Sequence, residues 1–207
     1  MITMRGIFDS FLINPCFMKQ SICVFLGARH GHDEIYARAA ENLGKAIVSM
    51  GFDLVYGGSS QGIMGVLAKT VLAEGGHVTG VMTSSLIDKE KPPTNLDELI
   101  VVDSLLKRKE LMQNISQAFI AMPGGLGTID EALDIWSALR TGELDKPFGI
   151  LNIENYFEHL LVLYQQFCDA GFANDEDLDI PMIHTDPLAL VEIIRTKVPT
   201  TKEPSLT

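Results

Sequence analysis

Cysteine is scarce: the chain has three among 207 residues, Cys16, Cys23 and Cys168. Three are too few and too scattered for a disulfide framework, and no two stand at metal-ligand spacing. Reduced thiols in a cytoplasmic protein are the expectation, with no metal and no cofactor. Long apolar runs are also lacking. None reaches the roughly 18–20 residues that a membrane-spanning helix needs, so no membrane partner is expected. Positive charge is in short supply, with 16 Lys and Arg against 27 Asp and Glu and a formal net charge of −11. That balance disfavours a basic stripe for nucleic acid or an anionic bilayer. It leaves room for a phosphate ligand, which needs only a few local donors. The first 17 residues lack the uninterrupted apolar stretch of a signal peptide, because Asp9 and Asn14 break it. Residues 1–17 are expected to be a poorly ordered extension, and 199–207 a tail.

What remains is a globular composition, 46% hydrophobic and 21% charged, and a length suited to one domain over residues 18–198. From residue 20 onward, strand-like and helix-like segments alternate. Apolar runs at Ser21–Leu26, Phe52–Tyr56, His77–Met82, Leu99–Val102, Ala118–Met122, Phe148–Asn152 and Met182–His184 read as strands. Helices are predicted over 34–50, 62–74, about 104–116, about 128–141, 155–170 and 187–197. The polar, proline-bearing stretch from Ser84 to Asp97 reads as a loop. This order implies right-handed βαβ units, hence an α/β fold. The expected architecture is a single Rossmann-like domain with a doubly wound parallel sheet and helices on both faces.

Ligands of such sheets bind beyond the carboxyl ends of the strands. Two glycine-rich turns fall there. One is Gly57-Gly58-Ser59-Ser60-Gln61-Gly62-Ile63-Met64-Gly65, and the other is Pro123-Gly124-Gly125-Leu126-Gly127-Thr128. Each leaves a strand and opens a helix, where free N–H groups favour an anion. Neither is a P-loop, and neither fits G-x-G-x-x-G, so a dinucleotide-dependent oxidoreductase ranks low. Thr128 and Glu131 have the spacing of a capping box, with Thr128 as the N-cap. Lys107-Arg108-Lys109 opens the helix after the fourth strand. Adjacent helical residues point about 100° apart, so three neighbouring bases cannot all face one ligand. His30, near the first strand's end, is placed either to line the pocket or to sit in a surface loop.

Pro123 to Glu131 (PGGLGTIDE) resembles the PGGxGTxxE signature of the Lonely Guy (LOG) family. The resemblance covers roughly residues 21–172. Ser21–Gly27, Tyr36–Ala40, Leu54–Gly58, Gly62–Gly65, Arg108-Lys109, Lys146-Pro147 and Asn155-Tyr156-Phe157 are similar to further family positions. It implies a modified Rossmann domain, usually a homodimer. It also implies hydrolysis of a nucleoside 5′-monophosphate, either AMP or a cytokinin riboside monophosphate, at the N-glycosidic bond. On that reading Arg108 and Glu131 are the catalytic pair. Lys109, Gly124, Gly125, Gly127, Thr128, Gly57, Gly58 and Met64 hold the substrate. Such proteins carry an older description as lysine decarboxylases, yet no lysine here stands in a recognisable pyridoxal-phosphate context. The chain departs from the family pattern at Ala28-Arg29, Ser59, Thr83, Leu105-Leu106 and Arg140. The departures fall on the base side of the pocket, and they leave a non-catalytic nucleotide sensor as the alternative.

Overall fold

Strands that are apolar on both faces need cover on both, and the chain supplies it by alternating strand and helix. A computed structural model describes residues 20–199. The expected extension over 1–17, and the tail beyond Pro199, lie outside the described residues. The strands are β1 (Ser21–Phe25), β2 (Asp53–Tyr56), β3 (Val78–Thr83), β4 (Glu98–Val102), β5 (Ala118–Ala121), β6 (Phe148–Leu151) and β7 (Met182–His184). They form one sheet in the order β4-β3-β2-β1-β5-β6-β7, and every pairing is parallel. The chain winds outward from β1 to β4, returns, and winds outward again from β5. The switch point therefore lies between β1 and β5, paired in the register Ile22↔Ala118.

The α-helices among the described residues are α1 (Glu34–Ser49), α2 (Gly62–Ala73), α3 (Ser84–Glu90), α4 (Leu105–Ile115), α5 (Leu126–Thr141), α6 (Glu158–Asp169) and α7 (Pro187–Lys197). Alternation along β1 divides the core. Ile22 and Val24 pack with Leu43 and Ile47 of α1, Leu67 of α2 and Ile194 of α7. Cys23 and Phe25 pack with Met112 of α4 and Ile135 and Trp136 of α5. The Trp136 indole donates to the carbonyl of Asp177 at 2.8 Å, so even the largest core side chain leaves no buried donor unpaired.

Three expectations need correction. The Ser84–Asp97 stretch is not wholly a loop, because Ser84–Glu90 forms α3. Thr83 supplies an extended N-cap residue, and its hydroxyl meets that of Ser85 at 3.0 Å. Half-buried Leu86 and Ile87 give the short helix an inner face. It stops at Lys91, ahead of Pro92-Pro93, which cannot continue a helix. The second correction concerns Thr128. Gly125 is the N-cap of α5, which begins at Leu126, and no side chain caps it. Thr128 sits within the first turn, buried, and the capping box with Glu131 does not form. One strand further on, α6 starts later than predicted. A 3-10 turn at Ile153–Asn155 precedes it, with left-handed φ at Glu154 and Asn155.

Candidate active site

The loops after β1, β2 and β5 meet at the switch point. The Gly27 amide donates to the Pro123 carbonyl at 3.2 Å, joining the β1 and β5 loops. Around them lies a cavity of about 680 Å³. Its lining includes Gly27–Gly31, Tyr36, Met64, Leu86, Glu90, Leu105, Arg108, Pro123–Thr128, Glu131 and Tyr156.

The two glycine-rich turns looked alike in sequence and differ in their backbone hydrogen bonds. At the start of α2 the amides of Ile63 and Met64 donate to the carbonyls of Arg29 and Gly27, at 3.4 and 3.2 Å. Gly62, at φ +57°, is pressed so close to the β1 loop that a Cβ would stand 2.3 Å from the Arg29 nitrogen. That turn is spent on packing. At the start of α5 the amides of Leu126, Gly127 and Thr128 have no acceptor among the described residues. They lie at the positive end of a 16-residue helix. A Cβ on Gly125 or Gly127 would meet nothing within 4 Å, so these glycines face open space. Gly124 is different, since a Cβ there would lie 2.1 Å from the Thr128 hydroxyl. It holds the turn closed, and Gly125 and Gly127 leave room for a ligand. The Tyr156 hydroxyl donates to the Gly124 carbonyl at 2.5 Å and steadies the turn from the β6 side. Tyr156 appeared in the sequence only as part of a matching Asn-Tyr-Phe run, with nothing to mark its contact.

Of the three adjacent bases, one enters the site. Arg108 is buried on the inner face of α4, one turn before buried Met112. Its Nε donates to the Val81 carbonyl at 2.7 Å, and its Nη1 donates to Glu131 Oε1 at 2.6 Å. Both side chains of this pair are under a tenth exposed. Gly57 makes space for the guanidinium, since a Cβ there would stand 2.6 Å from Nη2. Nη2 and Glu131 Oε2 have no partner among the described residues, and both remain open to the cavity. Burial pushes the Glu131 carboxyl above its ordinary value of 4.5, and the neighbouring Arg108 charge opposes that rise.

The structure brings Arg108, Glu131, Gly124, Gly125, Gly127, Thr128 and Met64 together around the cavity. Gly57 and Gly58 stand behind it. Gly58, at φ +82°, packs against Met82. Lys109 turns away from the cavity, and its Nζ bridges Asp134 at 2.6 Å and Asp130 at 3.1 Å. Lys107 is exposed and pairs with Asp103. His30 is exposed and also lines the cavity. Among the described residues no lysine lines the cavity, and no group of three His, Cys, Asp or Glu is arranged to hold a metal. No helix among them is long and apolar enough to cross a membrane.

A doubly wound parallel sheet, with an unspent anion-binding helix start and a buried Arg–Glu pair at its switch point, defines a Rossmann-like protein whose cleft suits an anionic ligand. A family model described as "possible lysine decarboxylase" matches residues 64–194. A probable cytokinin riboside 5′-monophosphate phosphoribohydrolase of Oryza sativa subsp. japonica is 43% identical over 153 residues, 74% of this chain and 66% of that protein's length. A cytokinin riboside 5′-monophosphate phosphoribohydrolase of Arabidopsis thaliana is 37% identical over 178 residues, 86% of this chain and 84% of that protein. The chain belongs to this LOG family. In fold it is also similar to a molybdenum cofactor binding protein from Rippkaea orientalis, with TM-score 0.65 and 20% identity over 87% of this chain and 98% of that one. A molybdenum cofactor carrier protein from Chlamydomonas reinhardtii has TM-score 0.65 and 22% identity over 86% of this chain and 97% of that one.

Proposed function

We propose that this chain hydrolyses the N-glycosidic bond of a nucleoside 5′-monophosphate, AMP or a cytokinin riboside monophosphate, to free base and ribose 5-phosphate. The observation that carries the reading is the open Glu131 oxygen of a buried Arg–Glu pair beside an unspent helix start. The phosphate lies on the amides of Leu126, Gly127 and Thr128, at Gly125 and Gly127. That contact fixes the sugar over Glu131. Water oxygen bonds to C1′ as the C1′–N bond breaks. One water proton leaves with the base, and the other stays on the new hydroxyl. Positive charge grows on the ribose ring as the bond lengthens, and the Glu131 carboxylate stabilises it. Arg108 is permanently charged, so it serves as no proton donor. It orients Glu131 and stabilises charge near the departing base. Lys109, held by two aspartates of α5, braces that helix against α4.

The test is a panel of nucleoside monophosphates incubated with purified protein, with chromatography of the released base. Free base from at least one member is expected. Binding without release by the folded protein would instead establish a sensor.

Two further results are expected. Gly57→Ala drives a methyl group into the Arg108 guanidinium. Misplacing that group is expected to lower kcat on AMP roughly ten- to a hundredfold, with the melting temperature showing that the fold survives. The Glu131 carboxyl should titrate above 4.5 in carbon-13 NMR of glutamate-labelled protein, its signal assigned by its loss in Glu131→Gln. Since the ionised form works, activity should fall as the pH drops through that raised value, earlier than for an ordinary glutamate.

We place the enzyme in the cytoplasm as a homodimer. Free Cys23 and Cys168 support a reducing compartment. Leu106 is 73% and Leu126 85% exposed, with Leu105 and Leu133 also exposed on the same two helices. That is a large apolar area to leave in water, and a second copy would cover it. Light scattering should give twice the chain mass, and Leu106→Glu should halve it.

A further inference from the structure

The direction in which a nucleotide lies across this site singles out Glu90. Phosphate belongs at the start of α5, above β5. Arg108 reaches from the Val81 carbonyl in β3 to Glu131 in α5, and so marks where the glycosidic bond must lie. Helix α3 follows β3, which lies on the far side of β1 from β5, and its Leu86 and Glu90 line the cavity together with Met64 and Leu105. The base must occupy this end. Three of the four side chains are apolar, which suits the faces of a heterocycle. Glu90 is the one that can read its edge.

The position of Glu90 is built, not incidental. The three carbonyls at the end of α3 are all held by the turn after β2. The buried Ser59 hydroxyl donates to the Glu90 carbonyl at 3.2 Å and accepts from the Gln61 amide at 3.1 Å. The Ser60 amide donates to the Lys91 carbonyl at 3.1 Å, and the Gln61 side chain donates to the Lys89 carbonyl at 3.2 Å. A residue without a hydroxyl at position 59 could not make the first two bonds. Among the described residues no cation pairs with the Glu90 carboxylate.

We propose that Glu90 is a specificity residue of the hydrolase described above, accepting a hydrogen bond from N–H donors on the edge of the base. A carboxylate accepts and does not donate. It therefore rewards an exocyclic amine and finds nothing in an unsubstituted ring edge. Both the 6-amino group of adenine and the N1–H and 2-amino edge of guanine offer such donors.

The test compares kcat/KM for two substrate pairs, AMP with purine riboside 5′-monophosphate and GMP with IMP, in wild type and in Glu90→Ala. Wild type should prefer the amine-bearing member of one pair by tenfold or more. In Glu90→Ala that preference should shrink to within about threefold, with turnover of purine riboside 5′-monophosphate, whose base edge carries no N–H, unchanged. Purine riboside 5′-monophosphate is also the control for folding. Glu90→Gln tells the two edges apart. Its amide can both accept from the adenine amine and donate to the ring nitrogen beside it, and so keeps the AMP preference. Against the two donors of guanine it loses the preference. An unchanged ratio in Glu90→Ala, equal loss on both members, or no preference in wild type overturns the assignment of Glu90. Absence of turnover on every nucleotide overturns the hydrolase reading itself. Turnover with an unchanged ratio leaves that reading standing.

Discussion

Glu131→Gln is expected to lower base release from AMP by about a thousandfold or more, the size of effect seen when a buried, preorganised electrostatic group is removed. Glutamine has nearly the shape of glutamate and keeps an oxygen for the Arg108 Nη1 bond, so the fold should stand. What it removes is the negative charge facing the ribose through Oε2. The loss should fall on kcat, since the charge matters most when the ring is most positive, and KM should move little. The measurement is initial rate of free-base release over a range of AMP, beside a thermal melt. Retention of more than a tenth of the wild-type kcat would overturn the role given to Glu131.

Arg108→Ala should cost both activity and stability. The pair is almost fully buried, and removing one member strands the other. Breaking a buried ion pair in this way typically costs about 3–5 kcal/mol. In a domain of this size that corresponds to roughly 10 °C in melting temperature. The stranded carboxyl will relieve the penalty by taking up a proton, because Arg108 is the charge that opposes its upward shift. The variant thereby loses the positive group near the base and the negative group under the ribose together. Combining it with Glu131→Gln should recover stability without recovering activity. If the double variant were as unstable as Arg108→Ala, the stranded-charge account would fail. Arg108→Lys should not rescue kcat, since an ammonium cannot hold the Val81 carbonyl and Glu131 with a rigid fork.

The alternation of strands and helices was plain in the sequence because two-sided burial forces near-continuous apolar runs such as Ile22–Leu26. Helix α3 was hidden for the opposite reason. Its seven residues are mostly polar, and it is held by hydroxyl and amide groups of Ser59–Gln61, some thirty residues away. Thr128 misled because capping spacing is a local pattern, and the helix began two residues earlier, at Leu126, with Gly125 as its cap. The signature glycines were legible as a group but not as individuals. Only packing separates Gly124, which closes the turn, from Gly125 and Gly127, which face open space. Met112, an apolar residue four places after Arg108, is compatible with an inward Arg108, but Leu111 stands equally spaced from Lys107, so only the packing separates the two. Nothing local marks Tyr156, which bonds the Gly124 carbonyl, or Glu90, whose backbone is held by the turn after β2.

The register Ile22↔Ala118 has a bearing on how the molecule assembles. A chain made from its amino end has β1 to β4 available long before β5 appears, and the cleft has only one wall until β5 docks beside β1. Contacts so distant along the chain are slow to close. Arg108 rides on the connection that makes this return, and Glu131 on the first helix after it. The two charges meet only when the halves of the sheet have joined. During refolding, helical signal should therefore come back before the chain can turn over substrate, and no partly folded form should carry a fraction of the activity.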